Sequence, residues 1–271
     1  MNRKMIQMLR KVTIEMTGVF ALNFFGGSSQ YQGGKGMVGI NISYAHVFVI
    51  GIIFLIGFPI SGSHFNPIVT VCTVLSGVET LFSASILITG QLLGSFLSGI
   101  SLKYSQPESF VEAGLGYPTV GEGITLEQAF FFETIGTFFL IFAMFAVIRA
   151  GYSHFVITLV FIGALIFLTN SIAPLGQCAM NPAMTLGPAL LSKEGLFIRG
   201  WWIYYTASFL GGILGMLFSM FMIDVDPSRR DDSDYGDEGL HQNSKDNLKK
   251  LDMEEQLSQM NSSWQSDTAV N

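Results

Sequence analysis

Hydrophobic and polar positions along the chain alternate in long blocks. Six apolar stretches, approximately 12 to 27, 38 to 58, 83 to 103, 128 to 149, 154 to 173 and 201 to 223, are each long enough to cross a bilayer as a helix. The polar breaks between them contain two unusual segments, Ser61-Gly-Ser-His-Phe-Asn-Pro-Ile-Val-Thr70 between the second and third stretches and Gly176-Gln-Cys-Ala-Met-Asn-Pro-Ala-Met-Thr185 between the fifth and sixth. Asn is a favoured helix N-cap, because its side-chain oxygen accepts from free N–H groups of the first turn. Pro suits the next position, where its missing N–H costs nothing. Asn66-Pro67 and Asn181-Pro182 therefore each predict a helix start. Ten apolar or small residues follow Asn66 before Gly77, and five follow Asn181 before Gly187-Pro188 intervenes. Ten residues span about 15 Å, half the hydrocarbon thickness. The expected fold is an all-α membrane protein of six transmembrane helices plus two half-membrane helices.

The second half repeats the first. Glu15-Met-Thr-Gly-Val-Phe20 matches Glu133-Thr-Ile-Gly-Thr-Phe138 at an offset of 118, and the Asn-Pro pairs repeat at an offset of 115. Each half has three spans, an odd number, so the halves enter the membrane from opposite faces and form an inverted 3+3 repeat, about 12–103 and 128–223. The two half-helices then dip in from opposite sides and bring Asn66 and Asn181 together near the midplane. The loops before them are irregular backbone at membrane depth, which is tolerated only where it is buried in protein or lines a water-filled cavity. A pore follows from that constraint.

Composition sharpens this picture. The chain has 271 residues, 49% hydrophobic and 13% charged, with 24 Phe and 30 Gly, and a mean hydropathy of +0.47. Such a chain reads as a polytopic membrane protein with small residues at helix contacts. The net charge of −6 belongs to the C-terminal segment: from Asp224 to Asn271 there are 12 acidic and 5 basic residues, leaving residues 1–223 near neutrality. That segment, 224–271, is too polar to build a core and is expected to be a disordered acidic cytoplasmic tail. The stretch 1–11 is expected to be a cytoplasmic N-terminus, and the first apolar block a membrane helix and not a cleaved leader. Arg3, Lys4, Arg10, Lys11, Arg149, Arg229 and Arg230 fall on one face of a six-span topology, while the loop from Tyr104 to Gly123 has no Lys or Arg and three Glu. By the positive-inside rule both termini are cytoplasmic; Lys193 and Arg199 run against the trend. The sequons at Asn41 and Asn261 abut a span or face the cytoplasm and are not expected to be used. Cys72 and Cys178 lie far apart and indicate no disulfide framework.

Glu15 and Glu133 are mid-span carboxylates, costly unless they find donors. A proton relay needs Lys, Arg or His partners at span centres, and none is present. The favoured role is to accept hydrogen bonds from the irregular loop of the same half. His46, near the outer end of the second span, fits either a packing residue or the outer mouth of a pore. His64, inside the first motif, more naturally braces its loop.

These residues resemble the aquaporin family, the major intrinsic proteins, over residues 12–223. The resemblance rests on the two Asn-Pro half-helix starts, Ser61-Gly-x-His64-x-Asn66-Pro67, Gln91-Leu-Leu-Gly94, Gly187-Pro188 and the two Glu-x-x-Gly-x-Phe boxes. It implies a right-handed bundle, usually a homotetramer with one pore per subunit, in the plasma or the vacuolar membrane. It implies a passive channel for water, and possible further solutes are ammonia, urea and hydrogen peroxide. A central constriction would be formed by Asn66, Asn181, Ile68 and Ala183, and a carbonyl ladder by Gly62, Ser63 and His64 on one side and Gln177, Cys178 and Ala179 on the other. The outer filter, carried over by spacing, is His46, Thr169, Cys178 and Met184. Ile68 stands where the family has Ala. Met184 stands where it has Arg, and with His46 this resembles the plant tonoplast group. Thr185 replaces the Asp of glycerol facilitators. No enzyme activity, metal, cofactor or nucleic-acid partner is expected; rival readings are a glycerol or small-solute facilitator and a membrane junction protein with residual pore activity.

Overall fold

A computed structural model describes residues 2–33, 40–112, 114–176, 179–192 and 198–223, with the side chains of 29–33, 40–46 and 173–176 outside the description. Among the described residues there is no strand. The helices are α1 (Arg3–Gly33), α2 (Ile40–Ser61), α3 (Pro67–Leu75), α4 (Leu81–Ser105), α5 (Glu108–Glu112), α6 (Leu126–Arg149), α7 (His154–Gly176), α8 (Pro182–Leu191) and α9 (Ile203–Met222). Four of the long helices, α4, α6, α9 and the His154–Ile172 part of α7, are by length and composition able to cross a membrane. Their outer faces carry large apolar side chains such as Phe82, Phe131, Phe167 and Phe221, which in a water-soluble fold would be buried and here meet lipid.

Three differences from the expected boundaries stand out. The first helix starts at Arg3, because no Pro or Gly interrupts the chain before Gly18. α8 runs through Gly187-Pro188, where a stop was expected, to Leu191. The short α5 lies in the loop after α4, opened by Pro107, whose carbonyl accepts from Phe110 and Val111. The span starts at Leu81 and Leu126 are set by Thr80 and Thr125, whose side chains accept from Ser83 and Gln128 N; Gln128 closes a capping box at 2.9 Å.

Packing repeats between the halves. α1 lies along α4 and α2, as α6 lies along α9 and α7; α2 meets α7 across the halves, and each half-helix packs on the last span of the other half, α3 on α9 and α8 on α4. Helix–helix contact in lipid relies on close approach, and here glycines supply it. A Cβ on Gly94 would collide with the carbonyl of Met16, and one on Gly211 with the carbonyl of Thr134, positions equivalent in the repeat. The main core, containing Phe54, Phe65, Ile68, Ile141, Phe161, Leu168, Met180, Ala183 and Met216, gathers residues from α2, α3, α6, α7, α8 and α9 around the two half-helix N-termini.

Candidate functional site

The site is built from two equivalent loops. Asn66 (φ −154°, ψ 121°) and Asn181 (φ −155°, ψ 105°) hold nearly the same extended conformation, and the Oδ1 of each accepts from the N–H two residues on, Ile68 and Ala183, at 3.0 Å. Just before them Phe65 (φ 48°) and Met180 (φ 50°) are left-handed, as is Ser63 (φ 51°). Such a conformation costs a residue with a Cβ about 1–2 kcal/mol, so something must hold these loops.

The two buried carboxylates do so. Glu15 Oε1 accepts from Ser61 Oγ (2.5 Å) and His64 N (3.0 Å), and Oε2 from Phe65 N (2.7 Å) and Gln91 Nε2 (2.8 Å). Glu133 accepts from Ala179 N (2.8 Å), Met180 N (2.7 Å) and Ser208 Oγ (2.5 Å). Each of these partners donates, and both oxygens of each carboxyl group act as acceptors. Hydrogen bonds to such a group are each worth about 1.5–3 kcal/mol, enough to hold two left-handed residues.

The halves are then joined by crossed bonds. Asn66 Nδ2 donates to Met180 O and Asn181 Nδ2 to Phe65 O, both at 2.8 Å. The left-handed turns at 65 and 180 present those carbonyls to the opposite amide. Each carboxamide thus uses its oxygen for its own helix and one N–H for the opposite loop. Among the described residues nothing takes the second N–H of either amide. Asn66 and Asn181 are 6% and 5% exposed, so those two N–H groups sit deep in the protein.

The remaining expected residues are placed as follows. Ser63 Oγ donates to Phe54 O (2.8 Å), and His64 Nδ1 lies 3.1 Å from Thr70 Oγ1, which also receives Gln91 Nε2 at 2.9 Å. Because the Thr70 hydroxyl donates to Asn66 O, His64 Nδ1 carries the proton in this network and Nε2 is left as an acceptor. Among the described residues, none donates to the carbonyls of Gly62, Ser63 or His64. Ala179 is buried beside Glu133. Ile68 and Ala183 have no exposed surface; the bulk of Ile68 lies against Gly212 of α9. Thr169 and Met184 are half-buried, Met184 packed against the main core. The side chain of His46, and Gln177 and Cys178 altogether, lie outside the described residues.

Sequence reasoning missed Asn23 and Ser95. Asn23 Nδ2 donates to Ala183 O (3.2 Å) and to Ser95 Oγ (3.4 Å), and Gly187 N donates to Ser95 Oγ (2.8 Å). These contacts let α8 continue past Pro188 by giving polar partners to its backbone. Ser208 was detectable: it stands 117 positions after Gln91 and meets Glu133 as Gln91 meets Glu15.

Two half-membrane helices, meeting at capped N-termini between six long helices, define a multi-pass channel fold. The chain belongs to the major intrinsic protein family, whose model matches residues 2–219. It is 31% identical over 214 residues to aquaporin TIP4-4 of Zea mays, covering 75% of this chain and 81% of that one. It is 32% identical over 216 residues to nodulin-26 of Glycine max, covering 78% and 76%. Among solved structures it is similar to the aquaglyceroporin from Plasmodium falciparum, with a TM-score of 0.70 at 20% identity, over 78% of this chain and 95% of that one; this likeness speaks for the fold. A member of this family is a passive channel and not an enzyme.

Proposed function

We propose that the protein conducts water passively along a path passing between the loops before α3 and α8, and that Asn66 and Asn181 form its centre. The observation that carries this is the crossed amide arrangement, which leaves one N–H of each Asn for a single water oxygen. A water held by two donors there points its hydrogens outward along the path, so a donor chain for proton hopping is interrupted. The N-termini of α3 and α8 each add about half a positive charge at the same place and repel cations. The carbonyls of Gly62, Ser63, His64 and Ala179 are the candidates for receiving water on either side, with Gln177 and Cys178 completing the ladder.

At the outer end, His46, Thr169, Cys178 and Met184 form the proposed filter. Met184 brings neither the charge nor the five donors of an Arg, and its thioether is apolar and flexible. Ammonia therefore enters with less penalty than in an Arg-gated pore, and urea or hydrogen peroxide are further candidates. The charge distribution supports cytoplasmic termini, the resemblance to the tonoplast group supports a vacuolar membrane, and the resemblance to the aquaporin family supports a homotetramer. Stopped-flow light scattering on proteoliposomes tests the reading: osmotic shrinkage is expected to be much faster than in empty vesicles, with a low activation energy. Rates equal to lipid alone, or undiminished flux after bulky replacement of both Asn66 and Asn181, would remove it.

A further inference from the structure

The two half-helices are fitted to the opposite half by inverted means. Where α8 crosses α4 and α1, the half-helix carries a small residue, Ala183, and the spans carry side chains: Ser95 and Asn23 reach it through Gly187 N and Ala183 O. The repeat-equivalent positions at the crossing of α3 with α9 and α6 are Ile68, Gly212 and Ile141. There the half-helix carries the bulk, α9 carries none at Gly212, and α6 adds only the apolar Ile141. Ile68 has no exposed surface, and a Cβ on Gly212 would overlap its Cγ1, with Ile141 Cγ1 3.5 Å away. One crossing is polar and filled from the spans; the other is apolar and filled from the half-helix.

We infer that Gly212 is a positioning residue for the channel: the niche it leaves seats Ile68 and thereby fixes the Asn66 amide at the centre of the path. The link from Ile68 to Asn66 is short. Ile68 N donates to Asn66 Oδ1, and the same carboxamide reaches Met180 O. Ile in a helix has one strongly preferred χ1 state, so filling the niche moves the helix end together with the side chain. The backbone at Ile68 shifts, the cap loosens, and the crossed bond to Met180 loses its alignment.

This inference rests on the water path proposed above, and the experiment separates the two. Water permeability per reconstituted molecule, with its activation energy, is measured for the wild type, G212A, G212S and the double variant I68A/G212S. The double variant transplants the Ala183/Ser95 combination of the other crossing. G212A is expected to lower permeability about tenfold, equivalent to about 1.4 kcal/mol on the barrier, and to raise the activation energy; I68A/G212S is expected to return both towards the wild type. If G212A is not recovered in membranes, G212S and the double variant decide. Wild-type flux in assembled G212A overturns this inference and leaves the water path standing. So does a double variant that assembles without flux, or one that fails to assemble. A wild type that does not conduct overturns the path, and this inference with it.

Discussion

Replacing Glu15 by Gln keeps the shape of the side chain and exchanges one acceptor for a donor, at a place where four donors converge. If the Gln oxygen takes the position facing Phe65 N and Gln91 Nε2, its NH₂ faces Ser61 Oγ and His64 N. The Ser61 hydroxyl can turn and accept; the His64 N–H cannot and is left buried without a partner. In the other orientation Phe65 N is orphaned, and Gln91 can answer only by turning its unpartnered Oε1 inward and giving up its contact with Thr70. One backbone N–H is lost either way. An unsatisfied buried donor costs about 1–3 kcal/mol, and the bonds that survive weaken from the charged to the neutral class by about 1 kcal/mol each. The sum, about 3–5 kcal/mol, is a large share of a typical total stability of about 5–15 kcal/mol. Glu15→Gln should show a clear drop in thermal stability in detergent and a fall in water flux per molecule. Ser61→Ala, which removes one side-chain donor and keeps both backbone bonds, should show a much smaller drop. Equal stability and flux in Glu15→Gln and wild type would refute the claim that this carboxylate holds the loop.

Met184→Arg should depress ammonia permeability far more than water permeability in paired stopped-flow measurements; an unchanged ratio would show that residue 184 is not in the filter. Mercurials should block water flux through Cys178, and Cys178→Ser alone should abolish the block, because Cys72 is fully buried in the core; inhibition persisting in that variant would overturn this. Gly94→Leu should prevent assembly, since even its Cβ would strike the Met16 carbonyl, whereas Gly77→Ala, in open space but at φ 76°, should cost about 1–2 kcal/mol and leave the protein recoverable in membranes.

Features carried by local chemistry were legible in the sequence. The Asn-Pro starts of α3 and α8, the long apolar blocks and the paired Glu boxes each announce themselves within a few residues. What could not be read depends on partners far along the chain. Pro188 looks like a stop because the sequence around it does not show that Ser95 and Asn23, 92 and 160 positions from their α8 partners, take up backbone groups of that helix. Ile68 reads as a bulkier neighbour of the central constriction, and nothing in the sequence around it shows that its bulk lies against Gly212. The reach of α1 down to Arg3 was hidden because charged residues end an apolar block without ending a helix.

The crossed amides also carry a consequence for biogenesis. The acceptor of Asn66 is 114 residues further along the chain, and the donor to Phe65 O is 116 residues further. When the first three spans have left the ribosome, the loop before α3 has its carboxylate but not its counterpart across the midplane. The first half-helix therefore stays incomplete until α7 and the loop before α8 have entered the membrane, and its final seating closes both halves at once. A chain truncated between α6 and α8 should integrate its spans yet leave the first loop open to water-soluble probes that the full-length protein excludes.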